Sequence, residues 1–256
     1  MSYEKFSKNR QGECMMGRGL IPKVAITVWA ILWACLATIV LFLPVILCAF
    51  FSRTGNLAFT LSKLWANIML WVTFVKVEIV GKEKITKGQS YIIVSNHQSA
   101  FDILAIVTTL GIQFRWVIKK ELLKVPLFGY ALYASRNIFI DRSNSKRAIE
   151  SINRGVERLH PGTGVIFFAE GTRSRDGKIH DFKKGAFVMA VARRLPILPI
   201  TVSGSRKIMQ KGSLMITPGK IRMVVADPIE PDGYSEQNLD ELLKSTRDTI
   251  IANFIQ

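Results

Sequence analysis

The pattern of apolar and polar positions changes character at Lys76. Before it, two long apolar stretches dominate. The first runs without a charge from Val24 to Phe51, longer than the roughly 20 residues a helix needs to cross the hydrocarbon core of a bilayer. The second, Leu57 to Val75, is interrupted by Lys63 and Asn67 and carries Trp65 and Trp71; Trp favours the membrane interface. The link between them, SRTGN, is short and turn-like. A secretory signal would have an apolar core of about 7 to 15 residues followed by a small-residue cleavage site. Phe51-Ser52-Arg53 is no such site, so a retained helix is expected. Two geometries fit. One is a spanning helix followed by an interfacial helix; the other is a helical hairpin dipping into one leaflet, helped by Pro44, with Arg53 in a shallow turn.

From Lys76 onward, short β-rich runs alternate with helical patterns. The runs Lys76 to Val80, Tyr91 to Ser95, Phe114 to Ile118, Ile138 to Ile140, Gly164 to Phe168, Ile197 to Val202 and Ile221 to Ala226 predict strands. Ser99 to Leu110, Asn144 to Leu159, Gly185 to Arg193 and Asn238 to Phe254 predict helices. This alternation predicts an α/β fold with a central, mostly parallel sheet flanked by helices. The chain then divides into a basic tail (1–23), a membrane-associated helical pair (24–75) and an α/β domain (76–256).

Charge narrows the partners. Lys and Arg number 35 against 19 acidic residues, a formal net charge of +16. Such an excess favours nucleic acid, an anionic membrane surface or phosphorylated substrates. No recognisable nucleic-acid motif is present, which leaves the last two. The cysteines, Cys14, Cys35 and Cys48, form no metal-like cluster, and Cys35 and Cys48 read as small buried hydrophobes within the first apolar run. A reducing, cytosol-facing catalytic domain follows. The cationic flank before Val24 also favours a cytoplasmic N-terminus.

Candidate chemistry lies in two segments that follow apolar strands, the first of them a strand-to-helix turn, where α/β folds commonly place reacting groups. Asn96-His97-Gln98-Ser99-Ala100-Phe101-Asp102 follows the strand YIIVS. Ser99 is placed as an N-cap and Asp102 three residues on, as in a capping box, so its carboxylate reaches back to the loop. His97 with a carboxylate behind it can take a proton from an alcohol; the plainer reading is a capped helix and an ordinary turn histidine. The second segment, Phe168 to Arg175, follows GVIFF. Gly171 permits a tight turn, Arg173 offers a planar fork for phosphate with Thr172 and Ser174 as extra donors, and Glu170 can hold a substrate hydroxyl or Arg173. The plainer reading is a solvated loop. Asp141-Arg142 ends another strand, and Lys119, Lys120, Lys183 and Lys184 add cations. His160 and His180 read as isolated loop residues.

With these segments in order, the chain resembles the NHx4D glycerolipid acyltransferases, the bacterial 1-acyl-sn-glycerol-3-phosphate acyltransferases in particular. NHQSAFD, VIKKELLKVPLFG, NIFIDR, FFAEGTRS, FKKGAF and LPILPITVSGS carry the likeness from Tyr91 to Gly204. The resemblance implies transfer of an acyl group from acyl-CoA or acyl-carrier protein to the sn-2 hydroxyl of 1-acyl-sn-glycerol 3-phosphate, making phosphatidic acid. Related acceptors, a lyso-ornithine lipid or glycerol 3-phosphate, stay open. So do a thioester hydrolase and a lipid-binding protein without catalysis. By resemblance His97 is the general base and Asp102 its orienting partner. Asn96, Arg142, Glu170, Gly171, Thr172 and Arg173 bind the acceptor, Lys120 and Lys184 contact phosphate, and Pro199 shapes the acyl-chain region. No cofactor or metal is implied. The expected partners are the lipid bilayer, the lysophospholipid and the acyl donor, at the cytoplasmic membrane with the catalytic domain facing the cytoplasm. Two positions depart from the family pattern: Arg136 stands where Gly is usual, placing charge near the headgroup site, and Ala169 where Pro is frequent.

Overall fold

The computed structural model describes residues 3–255 except 53, 142, 144 and 236, with side chains described from 21 onward apart from 145 and 146. The apolar runs after Lys76 become β1 (Val75–Val80), β2 (Ile92–Ser95), β3 (Phe114–Lys119), β4 (Ile138–Ile140), β5 (Gly164–Phe168), β6 (Ile197–Ser203) and β7 (Gly219–Val225). Among the described residues they form one seven-stranded sheet in the order β1-β7-β6-β2-β5-β3-β4. Strands β6, β2, β5, β3 and β4 run parallel, β7 pairs antiparallel with β6, and β1 runs parallel to β7. The expected strands are all present, and the mostly parallel sheet is as the alternation predicted.

Central strands covered on both faces need apolar residues throughout. Every residue of β2 and β6 is buried. Successive side chains of β2 alternate between two cores: Ile93 packs with Phe59, Phe101 and Phe114, whereas Ile92 and Val94 pack with Phe187, Leu242 and Ile250.

The helices are α1 (Tyr3–Phe51), α2 (Asn56–Val72), α3 (Phe101–Thr109), α4 (Phe128–Ala134), α5 (Ser145–Glu157), α6 (Gly185–Arg193), α7 (Ser205–Ile208) and α8 (Leu239–Ala252). The short α4 and α7 were not legible from periodicity, because each offers two turns or fewer. Helices α2 and α3 cover one face of the sheet, and α6 and α8 contribute to the core on the other.

Helix α1 begins at Tyr3, far upstream of the apolar run, and its segment Ile21–Phe51 is long and apolar enough to cross a membrane. One side of that segment docks. Thr27, Ala30, Ala37 and Val45 are buried at helical spacing, Thr27 Oγ1 accepts the Ile216 N–H at 2.9 Å, and Trp65 of α2 donates to Thr38 Oγ1 at 3.2 Å. The opposite side exposes Leu32, Ile39, Leu43, Phe50 and Phe51. Cys35 is exposed there as well, contrary to its reading as a buried hydrophobe, because it falls on the outward side of the helix. Cys48 is half-buried against Val45 and Ala58.

The turn between α1 and α2 is fixed by a buried cation. Arg115 of β3 is fully buried. Its guanidinium donates to Thr54 O at 2.9 Å, to Asn56 Oδ1 at 2.5 Å and to Phe114 O at 2.8 Å, and it lies 5.4 Å over the Phe59 ring. Desolvation lowers its pKa from the ordinary value to about 10, so the apolar surroundings strain the charge that the hydrogen bonds retain.

Candidate active site

The loop between β2 and α3 brings His97 and Asp102 together at the carboxyl edge of the parallel strands. His97 Nδ1 lies 2.8 Å from Asp102 Oδ2. The same oxygen accepts the N–H groups of Gln98 at 2.7 Å and Ser99 at 2.9 Å. A carboxylate oxygen only accepts, so Nδ1 carries the proton and Nε2 is left as the basic nitrogen. Asp102 is fully buried, and its Oδ1 has no partner among the described residues. The carboxylate reaches back to the loop as a capping box requires. The cap itself differs from expectation: α3 starts at Phe101, and the Ser99 hydroxyl donates to Met209 O at 2.7 Å while accepting the Phe101 N–H at 3.3 Å.

The imidazole is held flat from the side. Its ring stacks on Phe168, with centroids 3.7 Å apart and planes at 10°, and Phe168 stacks in turn on Trp116 at 5.5 Å. Sequence reading missed this aromatic stack, since Phe168 and Trp116 each read only as strand interior. Trp116 also lines an apolar cavity of about 110 Å³ bounded by Phe42, Trp65, Leu104, Phe128 and Leu132. The cavity thus lies beyond the Phe168–Trp116 stack from the histidine, among α1, α2, α3 and α4.

The loop after β5 is tied to the histidine loop at several points. Ser174 N–H donates to His97 O at 2.8 Å, and Gln98 Nε2 donates to Gly177 O at 2.8 Å. Glu170 is buried and clamps both loops: Oε1 accepts the His97 N–H at 3.0 Å and Oε2 the His180 N–H at 3.1 Å. It holds backbone, then, and makes no ion pair with Arg173 among the described residues. Burial raises its pKa above the usual carboxylate value, opposed by those two hydrogen bonds. His180, expected to be isolated, contributes this N–H and sets its ring Nε2 2.9 Å from Asp176 Oδ1. Hydrogen bonds from the Lys178 N–H and the Ser174 hydroxyl hold the Asp176 carboxyl down at about 2.

Gly171 turns the chain at φ +74°, a backbone region closed to most side chains. The Lys183 side chain passes 3.6 Å from where a Cβ on Gly171 would sit. Arg173 is half-buried, and its guanidinium has no hydrogen bond or ion pair among the described residues. Lys211, which no sequence signal singled out, reaches in from the segment after α7. Its Nζ donates to Thr172 Oγ1 at 2.9 Å and to Arg173 O at 2.6 Å.

Other expected site residues lie elsewhere. Asn96 is fully buried, and its amide pairs with both the N–H and the C=O of Val202, each at 2.8 Å, which stitches the loop to β6 instead of facing the cleft. Lys120 pairs with Asp141, and Lys184 turns to Asp240 of α8 at 2.7 Å. Of the FKK pair it is therefore Lys183 that borders Gly171. Pro199 sits buried within β6 and does not line the apolar cavity. Arg142 lies outside the described residues. Arg136 precedes the amino end of β4, at the sheet edge opposite His97. Its φ is +57°, so Gly is the unstrained residue there, and an arginine costs about 1 kcal/mol of backbone strain.

A family model described as Acyltransferase matches residues 76–203. The chain is 35% identical over 171 residues to a chloroplastic 1-acyl-sn-glycerol-3-phosphate acyltransferase of Arabidopsis thaliana, covering 66% of this chain and 48% of that one. It is 32% identical over 202 residues to the protein named 1-acyl-sn-glycerol-3-phosphate acyltransferase in Limnanthes douglasii, covering 78% and 70%. The alpha form of that name from Mus musculus is 32% identical, covering 70% and 64%. The chain spans about half the length of the chloroplastic relatives. Among solved structures it is similar to the 1-acyl-sn-glycerophosphate acyltransferase PlsC of Thermotoga maritima, with a TM-score of 0.77, 25% identity and coverage of 91% of this chain and 95% of that one.

Proposed function

Because the chain belongs to the acyltransferase family, we propose that it transfers an acyl group from a thioester to the 2-hydroxyl of 1-acyl-sn-glycerol 3-phosphate, yielding phosphatidic acid at a membrane surface. One observation carries the reading: the His97–Asp102 pair, with Nε2 unshared, stands between cations that have no ion pair among the described residues and an apolar cavity reached past the Phe168–Trp116 stack. A phosphate-bearing lipid needs both. The relatives' names supply the acceptor, and the likeness to the Thermotoga maritima protein supports the bacterial kind of NHx4D enzyme.

In this mechanism His97 Nε2 takes the proton of the acceptor hydroxyl. The oxygen attacks the thioester carbonyl, forming a tetrahedral intermediate. The C–S bond then breaks, and the thiol leaves with the proton from His97. Asp102 holds the tautomer and stabilises the imidazolium. Most turn amides around α3 are already engaged: Gln98 and Ser99 by Asp102, Phe101 by Ser99, and His97 by Glu170. Ala100 N–H has no acceptor among the described residues and is the amide left for the oxyanion. Ser99 is fully buried with its hydroxyl on Met209 O, which supports direct transfer over an acyl-serine. Arg173 and Lys183 receive the acceptor phosphate, with Arg142 and Lys120 joining them by resemblance, while Asn96, Glu170 and Lys211 position the loops.

The cavity of about 110 Å³ holds under four waters' worth of space, too little for a whole acyl chain. It serves as the entrance, with the rest of the chain lying between α1 and α4 or in lipid. Helix α1 touches the remainder of the protein from Thr27 to Val45, about 27 Å of its length. It cannot stand clear through a bilayer while so docked. This supports insertion into one leaflet along its exposed side; the cationic flank before Val24 is what supports a catalytic domain in the cytoplasm.

The test is thiol release from acyl-CoA and acyl-carrier-protein thioesters by the protein in detergent, with and without 1-acylglycerol 3-phosphate. Acceptor-dependent release, lost in His97→Ala, is expected. Release independent of acceptor would mark a thioesterase. Release only with glycerol 3-phosphate or a lyso-ornithine lipid would reassign the acceptor.

A further inference from the structure

A second cavity, of about 330 Å³, opens at the amino edge of the sheet and is bordered by Thr54, Tyr133, Arg136, Asn137, Gly155 and Arg158. It lies at the amino end of β4, just past the carboxyl end of α5. His97 and Arg173 follow the carboxyl ends of β2 and β5, which run parallel to β4, so the two sites are separated by the length of the strands. Among the described residues no carboxylate lines the cavity, and neither the Arg136 nor the Arg158 guanidinium has a hydrogen bond or ion pair. Its volume is that of about ten waters, room for a phosphate ester.

Three further observations point to an occupant. Arg136 keeps a bulky side chain at φ +57°, where glycine would fit without strain; strain of this kind persists where the side chain is used. Gly55 in the hairpin turn, at φ +75°, yields to it, because Arg136 Cγ lies 2.7 Å from where a Gly55 Cβ would be. The cavity also borders the exposed apolar surface: Phe50, Phe51 and Tyr130 are exposed on α1 and α4, and Tyr133 is exposed on its rim. Aromatic side chains beside arginines fit the interface of an anionic membrane.

We propose that Arg136 and Arg158 form a second anion site, which takes the phosphodiester headgroup of an anionic membrane phospholipid with its chains along the exposed aromatic rim. The paired guanidinium groups hold the phosphate oxygens, and the lipid anchors the hairpin end of the protein. The site is independent of the acyl-transfer reading.

The experiment titrates the full chain in detergent, in the Arg173→Gln background, with dihexanoylphosphatidylglycerol, dihexanoylphosphatidylcholine and inorganic phosphate, and measures heats of binding. The variants are Arg136→Gly, Arg158→Gln and both together. Arg136→Gly relieves the left-handed strain, so its melting temperature should hold or rise, which guards against misfolding. The double variant should weaken phosphatidylglycerol binding about ten-fold, with phosphatidylcholine and inorganic phosphate weak throughout. In the native background, turnover on a soluble short-chain acceptor should stay within about two-fold. Unchanged phosphatidylglycerol affinity would overturn the proposal. So would inorganic phosphate binding as tightly as the lipid, or loss of turnover in step with binding, which would place Arg136 on the acceptor path. A wild type without turnover but with the expected binding pattern would count against the acyl-transfer reading alone.

Discussion

At the carboxyl edge of the parallel strands, two loops are laced by backbone hydrogen bonds, and the groups without a partner among the described residues are His97 Nε2 and the side chains of Arg173 and Lys183. At the amino edge the arrangement is reversed. There the buried guanidinium of Arg115 does the lacing, through Thr54 O and Asn56 Oδ1, and the guanidinium groups of Arg136 and Arg158, without a partner among the described residues, stand at the surface. A formal excess of +16 therefore serves two different ends. Reactive groups gain from scaffolds made of neutral amides, because the free charge then meets the ligand. A hairpin that must stay docked gains from a cation at its root, because one arginine satisfies several carbonyls at once.

The sharpest break of that comparison removes one central group from each edge. His97→Ala deletes the base and leaves the loops laced through Glu170 and Ser174. We expect turnover to fall roughly 10²- to 10⁴-fold with a stability loss of only about 1 kcal/mol, for the Asp102 hydrogen bond and the Phe168 stack. Arg115→Met should do the opposite. It leaves Thr54 O, Asn56 Oδ1 and Phe114 O without their donor at a buried site, at about 1 to 3 kcal/mol for each group that water cannot reach. Relief of the arginine's own desolvation offsets part of this, so a net loss of about 3 kcal/mol in urea unfolding is expected, with faster proteolysis in the SRTGN turn. A large activity loss at unchanged stability in Arg115→Met would remove the distinction between the two edges.

The carboxyl edge was legible in the sequence and the amino edge was not, for a physical reason. His97 and Asp102 sit five residues apart on one strand-to-helix turn, and the distance between them is set locally. Residues 170–174 likewise follow one strand. The sheet was readable because strands buried on both faces must be apolar throughout. The cavity at Thr54, Arg136 and Arg158 instead joins three segments that meet only in the folded chain. Asn96 misled because a polar residue beside a reactive histidine looks like a ligand group, whereas its amide replaces a missing strand partner at Val202. Lys184 misled because adjacent residues at a helix start point apart, one to Gly171's turn and the other to α8.

Glu170 sharpens the comparison at smaller scale, because it, like Asp102, laces the amide-rich edge with a carboxylate. Glu170→Gln replaces one acceptor oxygen with a donor facing the N–H of His97 or His180. We expect a loss of about 1 to 2 kcal/mol and a fall in kcat of about ten-fold with little change in KM. The pH dependence has a definite sign. Burial raises the folded pKa above the unfolded one, so protonation favours the folded state. That contribution is full below the unfolded pKa, near 4.3, and is lost as pH rises through the folded value. The melting temperature of wild type relative to Glu170→Gln should therefore improve as pH falls from 7 toward 4. A flat or opposite difference would mean that the two backbone hydrogen bonds, not burial, dominate the carboxyl group.

The smallest effect is expected at Lys211, and it distinguishes two ways a cation can serve the carboxyl edge. Its Nζ bridges Thr172 Oγ1 and Arg173 O from a half-exposed position, so removing it leaves groups that water can reach. Lys211→Met should change stability by less than about 1 kcal/mol. If Lys211 only fixes the loop, kcat should fall about three-fold with KM for the acceptor nearly constant. Lys211→Arg, which can still reach both oxygens, should then restore it. If its ammonium group also faces the acceptor phosphate, KM should rise instead, and the rise should shrink as added salt screens the attraction. The second result would put Lys211 beside Arg173 and Lys183 as a charge offered outward. The first would make it a surface counterpart of Arg115, a cation whose work is to hold carbonyls in place.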